Sequence, residues 1–182
     1  MPKTLVASLI LLAAAAQYAH AAPAQDDTDR LPEHKGLASR LSDSIHQATD
    51  RAGDVIRNAM GALGVPYRRG GTSAETGFDC SGFANFIYNQ YGFKTAGPSH
   101  ELALMGVPKD RQQLQAGDLV FFGNEERISH VGIVTSGANG RIGFIHSSTS
   151  GGIRTDEVVG NEYWEKRYLF GRDLISGFMA AK

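Results

Sequence analysis

Apolar residues recur at steps of three and four between Leu37 and Leu63. They are Leu41, Ile45, Ala48, Ala52, Val55, Ile56, Ala59 and Met60. This spacing predicts an amphipathic helix with one apolar face. Gly53 interrupts the pattern at a point where the helix can split. Gly64 and Pro66 follow the last apolar positions, so we expect the helix to stop there.

A second helical pattern begins after Asp79. Its apolar face is formed by Phe83, Phe86, Ile87 and Tyr91. Asp79 is a favourable N-cap, and Gly92 lies where a helix of this length ends. The only cysteine of the chain, Cys80, therefore lies in the first helical turn. Because unpaired backbone N–H groups and the helix dipole stabilise a thiolate, we expect the pKa of this thiol to be lowered.

The second half of the chain shows strand patterns. Residues 117–123, 128–134 and 141–147 are rich in apolar and β-branched side chains. The turn-forming cluster 136–140 separates the last two segments, which predicts an antiparallel hairpin. Residues 163–175 mix aromatic and charged side chains, and we expect a further strand pair or a strand with a loop there.

The predicted hairpin carries one histidine on each strand. A loop centred on Ala138 places His130 directly opposite His146. A loop centred half a step later places Ser147 opposite His130 instead. The pattern alone leaves both registers open, and the first brings the two imidazoles together across the strands.

Length and composition indicate one globular domain. The chain has 182 residues, which is enough for one compact core and too little for two ordinary domains. Hydrophobic residues make up 42% and charged residues 20%, as in globular proteins. A net charge of -1 gives no electrostatic basis for binding nucleic acid or an anionic membrane. We expect a monomer without a nucleic-acid partner.

The first 22 residues have the features of a cleavable signal peptide. An apolar run from Leu5 to Ala16 is too short to span a bilayer comfortably, and an Ala-x-Ala sequence ends at Ala21. An uncleaved anchor is the alternative. After cleavage we expect an exported protein, periplasmic or extracellular, without a membrane anchor. The rest of the chain divides into a flexible leader and amphipathic helix (23–50), a catalytic domain (51–176) and a C-terminal tail (177–182).

A single cysteine cannot form an intramolecular disulfide. It is either a small buried hydrophobic residue or a thiol kept for its reactivity. Together, Cys80, His130 and His146 supply the parts of a thiol acyl-transfer site. His130 can take the thiol proton, and His146 can bond the other ring nitrogen and fix the tautomer. A backbone N–H of Cys80 or Ser81 can face the developing oxyanion.

The same three residues are also possible ligands of a zinc ion with one open coordination position. We rank this alternative lower, because the sequence has no closely spaced ligand pair and the two histidines are 16 positions apart. The sequence also contains no phosphate-binding loop, no serine-hydrolase elbow and no recognisable pair of glycosidase carboxylates. We therefore expect neither a metal ion nor a cofactor.

Four short segments carry a more specific pattern. They are GVPYRRGG (64–71), FDCSGF (78–83), GDLVFF (117–122) and SHVGI (129–133). In sequence and in order they resemble the successive motifs of the NlpC/P60 family of cell-wall cysteine peptidases. The resemblance implies a papain-like α+β domain in which the cysteine helix packs on an antiparallel sheet that carries both histidines.

The resemblance also implies a role for each member of the candidate site. By this comparison Cys80 is the nucleophile, His130 the base and His146 the third polar residue. Members of the family cleave peptidoglycan stem peptides, either between D-glutamate and diaminopimelate or at the diaminopimelate cross-link. The implied partner is therefore a stem peptide of the bacterial cell wall.

Three further positions match family residues near the nucleophile. Tyr67 matches a tyrosine whose hydroxyl lies beside the nucleophile, and an aromatic residue packed under the Gly70–Gly71 loop is the alternative. Asp79 and Ser81 match positions that, in some members, hold the amino group of a stem peptide. Asp79 can also serve as the helix cap. The segment 98–101 departs from the family pattern along the substrate groove.

Two other functions remain open at the level of sequence. A wall-binding or regulatory module could keep the fold without turnover, although such a module has no need of a thiol at a helix start. An exported antibacterial toxin would use the same chemistry as a housekeeping enzyme.

Overall fold

The computed structural model describes residues 36–180. The helices are α1 (Leu37–Gly61), α2 (Cys80–Asn89), α3 (Ser99–Leu102), α4 (Glu162–Glu165) and α5 (Leu174–Ala180), with a 3₁₀ turn at Arg111–Gln113. The strands are β1 (Thr72–Ser73), β2 (Gly77–Phe78), β3 (Val107–Lys109), β4 (Leu119–Gly123), β5 (Ile128–Ala138), β6 (Arg141–Ser148), β7 (Gly152–Glu157) and β8 (Tyr168–Asp173). This is the α+β arrangement that the sequence predicts.

The two long helices agree only in part with the prediction. α1 runs unbroken through Gly53, so the split expected there is wrong. The cost of one helical glycine, about 1 kcal/mol, is small beside the burial of Val55 and Ala59 in the next two turns. The start of α2 is confirmed, because the Asp79 side chain accepts a backbone hydrogen bond of the first turn. α2 ends just before Gly92, whose φ is 81°.

Six strands form one antiparallel sheet in the order β3-β8-β4-β5-β6-β7. The predicted β5–β6 hairpin is present, and its turn consists of Asn139 and Gly140 with φ values of 52° and 74°. Positive φ at both positions is the requirement of the tightest hairpin turns.

The register of this hairpin differs from both expectations. The turn lies beyond Ala138, and the strand register shifts at Thr135, so Ile133 pairs with Ile145. His130 and His146 are consequently not direct partners, and they are offset by two residues along the strands. Because side chains two residues apart share a face of the sheet, the rings still meet on a diagonal.

The sheet carries two different layers of side chains. On what we call the helix-covered face, strand residues pack against α1 and α2; they are Leu119, Phe121, Val131, Ile133 and Ile145. On what we call the aromatic face, strand residues pack with Trp164 of α4; they are Val120, Phe122, Val134, Ile142 and Phe144. Alternation along the strands places His130 and His146 on the aromatic face, where they contact Phe122 and Phe144.

Several short elements were not predicted. The strands β3 and β7 were missed, and only one strand, β8, lies between residues 163 and 175, flanked by the helices α4 and α5. The predicted signal peptide and residues 23–35 of the predicted leader lie outside the described residues. None of the helices within residues 36–180 is long and apolar enough to cross a membrane.

Candidate active site

The candidate site lies beyond the last paired residues of the β5–β6 hairpin. The hairpin ladder runs back from the turn to Ile133 and Ile145. Beyond this point β5 remains paired with β4, and β6 with β7. His130 and His146 therefore lie past the end of the ladder, where their side chains rather than backbone hydrogen bonds join the two strands.

Cys80 is held at the start of α2 by the Asp79 side chain. One carboxylate oxygen accepts hydrogen bonds from the Gly82 N–H at 2.6 Å and the Ser81 hydroxyl at 3.1 Å. The other oxygen accepts from the Gly70 N–H at 2.9 Å, which fixes the preceding loop to the helix. Asp79 is thus the predicted cap, and three of its acceptor positions are used within the chain.

The Cys80 thiol faces both the helix start and β5. The N–H groups of Val131, Ser81 and Cys80 itself are directed at the sulfur. Burial nevertheless raises the pKa of the thiol above its ordinary value, because it outweighs these three backbone donors. The expectation that the helix start lowers this pKa is therefore wrong for the unliganded site. It counted the backbone donors of the helix start and missed the cost of desolvation.

The two imidazoles form the first link of a hydrogen-bonded chain. Nε2 of His130 lies 2.8 Å from Nδ1 of His146, and Nε2 of His146 lies 3.0 Å from Oδ2 of Asp156. Asp156 is on β7, next to β6, and it also accepts from Trp164 Nε1 at 3.2 Å and from Arg154 at 2.7 Å. The sequence analysis predicted the first link and missed the second.

Aromatic side chains pack against the imidazoles, and they leave His146 buried and His130 partly exposed. The indole of Trp164 stacks on His130 with ring centroids 5.3 Å apart and planes at 30°. Burial and, after it, the neighbouring His146 lower the pKa of His130 to about 3, against the opposing pull of Asp156. Burial also lowers the pKa of His146, against the opposing pull of Asp156. Both rings are therefore uncharged at neutral pH, and the structure shows no hydrogen bond between the thiol and His130.

Tyr67 lies near enough to Cys80 for the charge of the sulfur to act on its hydroxyl, and its role beside a nucleophile stays a prediction. Its backbone bridges to Phe78, two residues before Cys80. Burial, followed by the charges of Cys80 and Asp79, raises the pKa of the tyrosine hydroxyl. The hydroxyl accordingly stays protonated and can act as a hydrogen-bond donor near the sulfur.

An open cleft of about 630 Å³ adjoins the imidazoles. Its polar lining includes Ser129, Ser148, Thr149, Ser150, Asn161 and Tyr163. Such a lining offers many hydrogen-bonding groups to a peptide. Across residues 36–180, no three His, Cys, Asp or Glu side chains are grouped so as to hold a metal ion.

Sequence reasoning missed Asp156, Arg154 and Trp164. The signals that exist are weak: Arg154 and Asp156 alternate on a short polar strand, and Trp164 is the only tryptophan of the chain. Their role depends on the pairing of β7 with β6, where His146 lies opposite Arg154. That pairing connects residues separated by a turn and cannot be read from local pattern.

Comparison with known proteins gives consistent matches. The NlpC/P60 family model matches residues 64–173, which include Cys80, His130 and His146. The murein DD-endopeptidase MepS/murein LD-carboxypeptidase of Escherichia coli K12 is 34% identical over 157 residues, or 80% of this chain and 79% of that protein. The murein DD-endopeptidase MepH of the same strain is 33% identical over 150 residues, or 78% of this chain and 54% of that protein.

A solved structure is also similar. An NlpC/P60 family protein from Bacillus cereus ATCC 10987 superimposes with a TM-score of 0.60 and 32% sequence identity. The match covers 68% of this chain and 40% of that one.

Proposed function

Because the chain belongs to the NlpC/P60 family of cysteine peptidases, we propose that it is an endopeptidase that hydrolyses peptidoglycan stem peptides through Cys80, His130 and His146. The observations that carry this proposal are a hydrogen-bonded imidazole pair on β5 and β6, and a thiol at the start of α2 that faces the N–H of Val131, the residue after His130. A catalytic thiol needs a base held in one orientation, and the pair supplies it.

The first half of the reaction forms a thioester. Sγ of Cys80 attacks the carbonyl carbon of the scissile amide, and the thiol proton passes to Nδ1 of His130, whose Nε2 is engaged with His146. Backbone N–H groups at the start of α2 and the Tyr67 hydroxyl stabilise the oxyanion. The intermediate expels the amine, which takes the proton from His130. Because thiol and imidazole are uncharged at rest, the proton moves during the attack rather than before it.

The second half of the reaction releases the acid. A water molecule attacks the thioester carbonyl and gives its proton to Nδ1 of His130. The tetrahedral intermediate then expels the sulfur, which recovers a proton from His130. A new carboxyl group leaves and the thiol is restored, so the cycle consumes one water and needs no cofactor.

The bond we propose is the diaminopimelate cross-link between two stem peptides. The support is that two relatives more than 30% identical are both named murein DD-endopeptidase. The bond between D-glutamate and diaminopimelate is the second candidate within the same chemistry. Either substrate lies outside the cytoplasmic membrane, which agrees with the proposed export through a signal peptide at residues 1–22.

Defined muropeptides test the proposal. The protein lacking residues 1–22 is incubated with purified cross-linked dimers and with single stem peptides, and the products are identified by mass spectrometry. We expect dimers to become monomers with a new free amino group on diaminopimelate, while single stem peptides remain intact. Cleavage of the single peptides after D-glutamate would show that the protein is an endopeptidase that cuts the second candidate bond.

The matched control is Cys80→Ala, which removes only the sulfur. This variant should stay folded by circular dichroism and release no products. A folded, unmodified wild-type protein that binds sacculi without cleaving either substrate would contradict the proposal and favour a wall-binding or regulatory module. A toxin would yield the same fragments, and it would be recognised by lysis of neighbouring cells that lack an immunity partner.

A further inference from the structure

We infer that Asp156 is a positioning residue that sets the proton arrangement of both imidazoles and so makes Nδ1 of His130 the base. The inference rests on the proposed function and extends the site by a residue on a third strand. Asp156 touches neither the thiol nor the cleavable bond in this arrangement. It acts through His146.

The carboxylate is fixed by three donors. Oδ2 receives His146 Nε2 at 3.0 Å and Trp164 Nε1 at 3.2 Å, and Oδ1 receives the Arg154 guanidinium at 2.7 Å. Tryptophan and arginine side chains can only donate, so their partner must be an acceptor. Burial alone would raise the pKa of Asp156, but the hydrogen bonds from His146, Trp164 and Arg154 outweigh it and lower the pKa. The side chain is an ionised acceptor at neutral pH.

An ionised acceptor at the end of this hydrogen-bonded chain determines which nitrogen carries the ring proton in both histidines. His146 is uncharged, and it must place its single ring proton on Nε2 to donate to Asp156. Its Nδ1 is then an acceptor, so His130 must donate from Nε2 across the 2.8 Å contact. The single proton of His130 is thereby placed on Nε2. Nδ1 of His130 is left with a free lone pair, which is the state a general base requires.

Burial of these hydrogen-bonded side chains strengthens the effect of Asp156 on the tautomers. The His146 side chain is 1% exposed and Asp156 is 15% exposed, so water has little access to replace a missing donor or acceptor. Trp164 shields the pair from the other side by stacking on His130. A side chain of similar size but without an acceptor at position 156 would leave the Nε2 proton of His146 unpaired. Both rings could then carry their single proton on Nδ1, and His130 in that form could not accept a proton from the thiol.

Histidine-selective ¹⁵N NMR tests the inference without any substrate. In the wild-type protein we expect both His130 and His146 as Nε2–H tautomers. In Asp156→Leu, which removes the acceptor, we expect Nδ1–H tautomers to be populated in both rings, with hydrolysis of the cross-linked substrate lowered about 10- to 100-fold, as is usual for groups that orient a functional residue. Asp156→Glu, which keeps the charge, should retain the wild-type tautomers and more of the activity.

The matched control is Glu157→Leu, which also replaces a carboxylate with leucine one position along β7. Glu157 pairs with Arg141 at the exposed surface, so this variant should leave both tautomers and activity unchanged. A wild-type His130 protonated at Nδ1 would overturn the inference, and this outcome needs no variant to fold. Unchanged tautomers in folded Asp156→Leu would overturn it as well. If the wild-type tautomers are as expected but no muropeptide is cleaved, the proposed function fails while the proton arrangement stands.

Discussion

The two faces of the sheet contribute opposite halves of the candidate site. The helix-covered face brings a thiol on the first turn of α2, set among aliphatic and phenylalanine side chains. The aromatic face brings two imidazoles, a carboxylate and an indole joined by hydrogen bonds. The halves are linked through β5, where the N–H of Val131 faces the sulfur and the preceding His130 faces the aromatic side, past the last β5–β6 pair at Ile133 and Ile145. The end of the hairpin ladder is therefore as important to the site as the side chains.

The difference between the faces explains the charge state of the site. On both faces burial opposes charge: it raises the pKa of Cys80 and lowers the pKa of His130 to about 3. Backbone N–H groups face the sulfur on the helix-covered face. On the aromatic face the carboxylate of Asp156 accepts a hydrogen bond from His146 and so orients both imidazoles. An uncharged thiol beside an uncharged, oriented base is the result.

The largest effect should come from removing the sulfur. Cys80→Ala leaves binding and oxyanion contacts but no nucleophile, so we expect hydrolysis to fall by about 10⁴-fold or more. Stability should change by no more than about 1 kcal/mol, because the side chain is small and half-buried. Amino groups released from cross-linked muropeptide measure activity, and urea unfolding measures stability. A folded variant with substantial activity would remove the thiol from the account.

Removing the imidazoles one at a time should give two unequal losses. His130→Ala removes the base, and we expect a loss of about 10²- to 10⁴-fold in kcat/KM. His146→Ala leaves His130 free to turn or to bond water, so we expect a loss of about 10- to 100-fold. Equal losses, or a larger loss for His146→Ala, would contradict the roles given to the two rings.

The aromatic face should be sensitive to added volume at Gly132. A Cβ there would lie 2.6 Å from Cδ2 of Phe144 and 3.4 Å from Cβ of His146. We expect Gly132→Ala to destabilise the protein by about 1–3 kcal/mol and to displace the imidazole pair. The control is Gly61→Ala at the end of α1, where a Cβ meets nothing within 4 Å. Urea midpoints compare the two, and equal stabilities would argue that the face is loosely packed.

Buried, uncharged His130 should also make stability depend on pH. The pKa of His130 is about 3 in the folded protein and about 6.5 when unfolded, so the unfolded chain binds more protons between these values. Stability should therefore fall as the pH drops from about 6.5 towards 3, and His130→Gln should flatten this loss. Urea midpoints at several pH values measure it, and an unchanged slope in the variant would mean that His130 is not buried uncharged.

Asp118 should change the pH dependence of stability in the direction opposite to His130, so it serves as a control. Burial raises its pKa to about 7, so the folded protein binds more protons than the unfolded chain between about 3.8 and 7. The contribution of Asp118 to the free energy of unfolding is present at low pH and is lost as the pH rises through 7. Asp118→Asn should thus steepen the acid loss that His130 causes.

The sequence predicted those parts of the site that depend on local rules. The cap at Asp79, the position of Cys80 on a helix start and the β5–β6 hairpin follow from residue types and spacing. The hairpin register could have been approached through Asn139-Gly140, a strong two-residue turn signal, but the shift at Thr135 has no such signal.

The remaining features depend on contacts between distant segments. Asp156 belongs to a strand too short and polar to predict, and its partner His146 is fixed by the β6–β7 register. The direction of the thiol pKa depends on how burial compares with three backbone donors, one of which belongs to Val131, 51 positions along the chain from Cys80. Continuity of α1 through Gly53 is likewise decided by packing rather than by propensity.

The claim that the two faces act as one catalytic unit is tested most directly by a double-mutant comparison. Rates on one cross-linked muropeptide are measured for Cys80→Ala, His130→Ala and the variant with both substitutions. If thiol and imidazole work only together, the double variant will be no slower than the slower single variant. If the two losses multiply, the thiol and the imidazole contribute independently, and the joint site described here is contradicted.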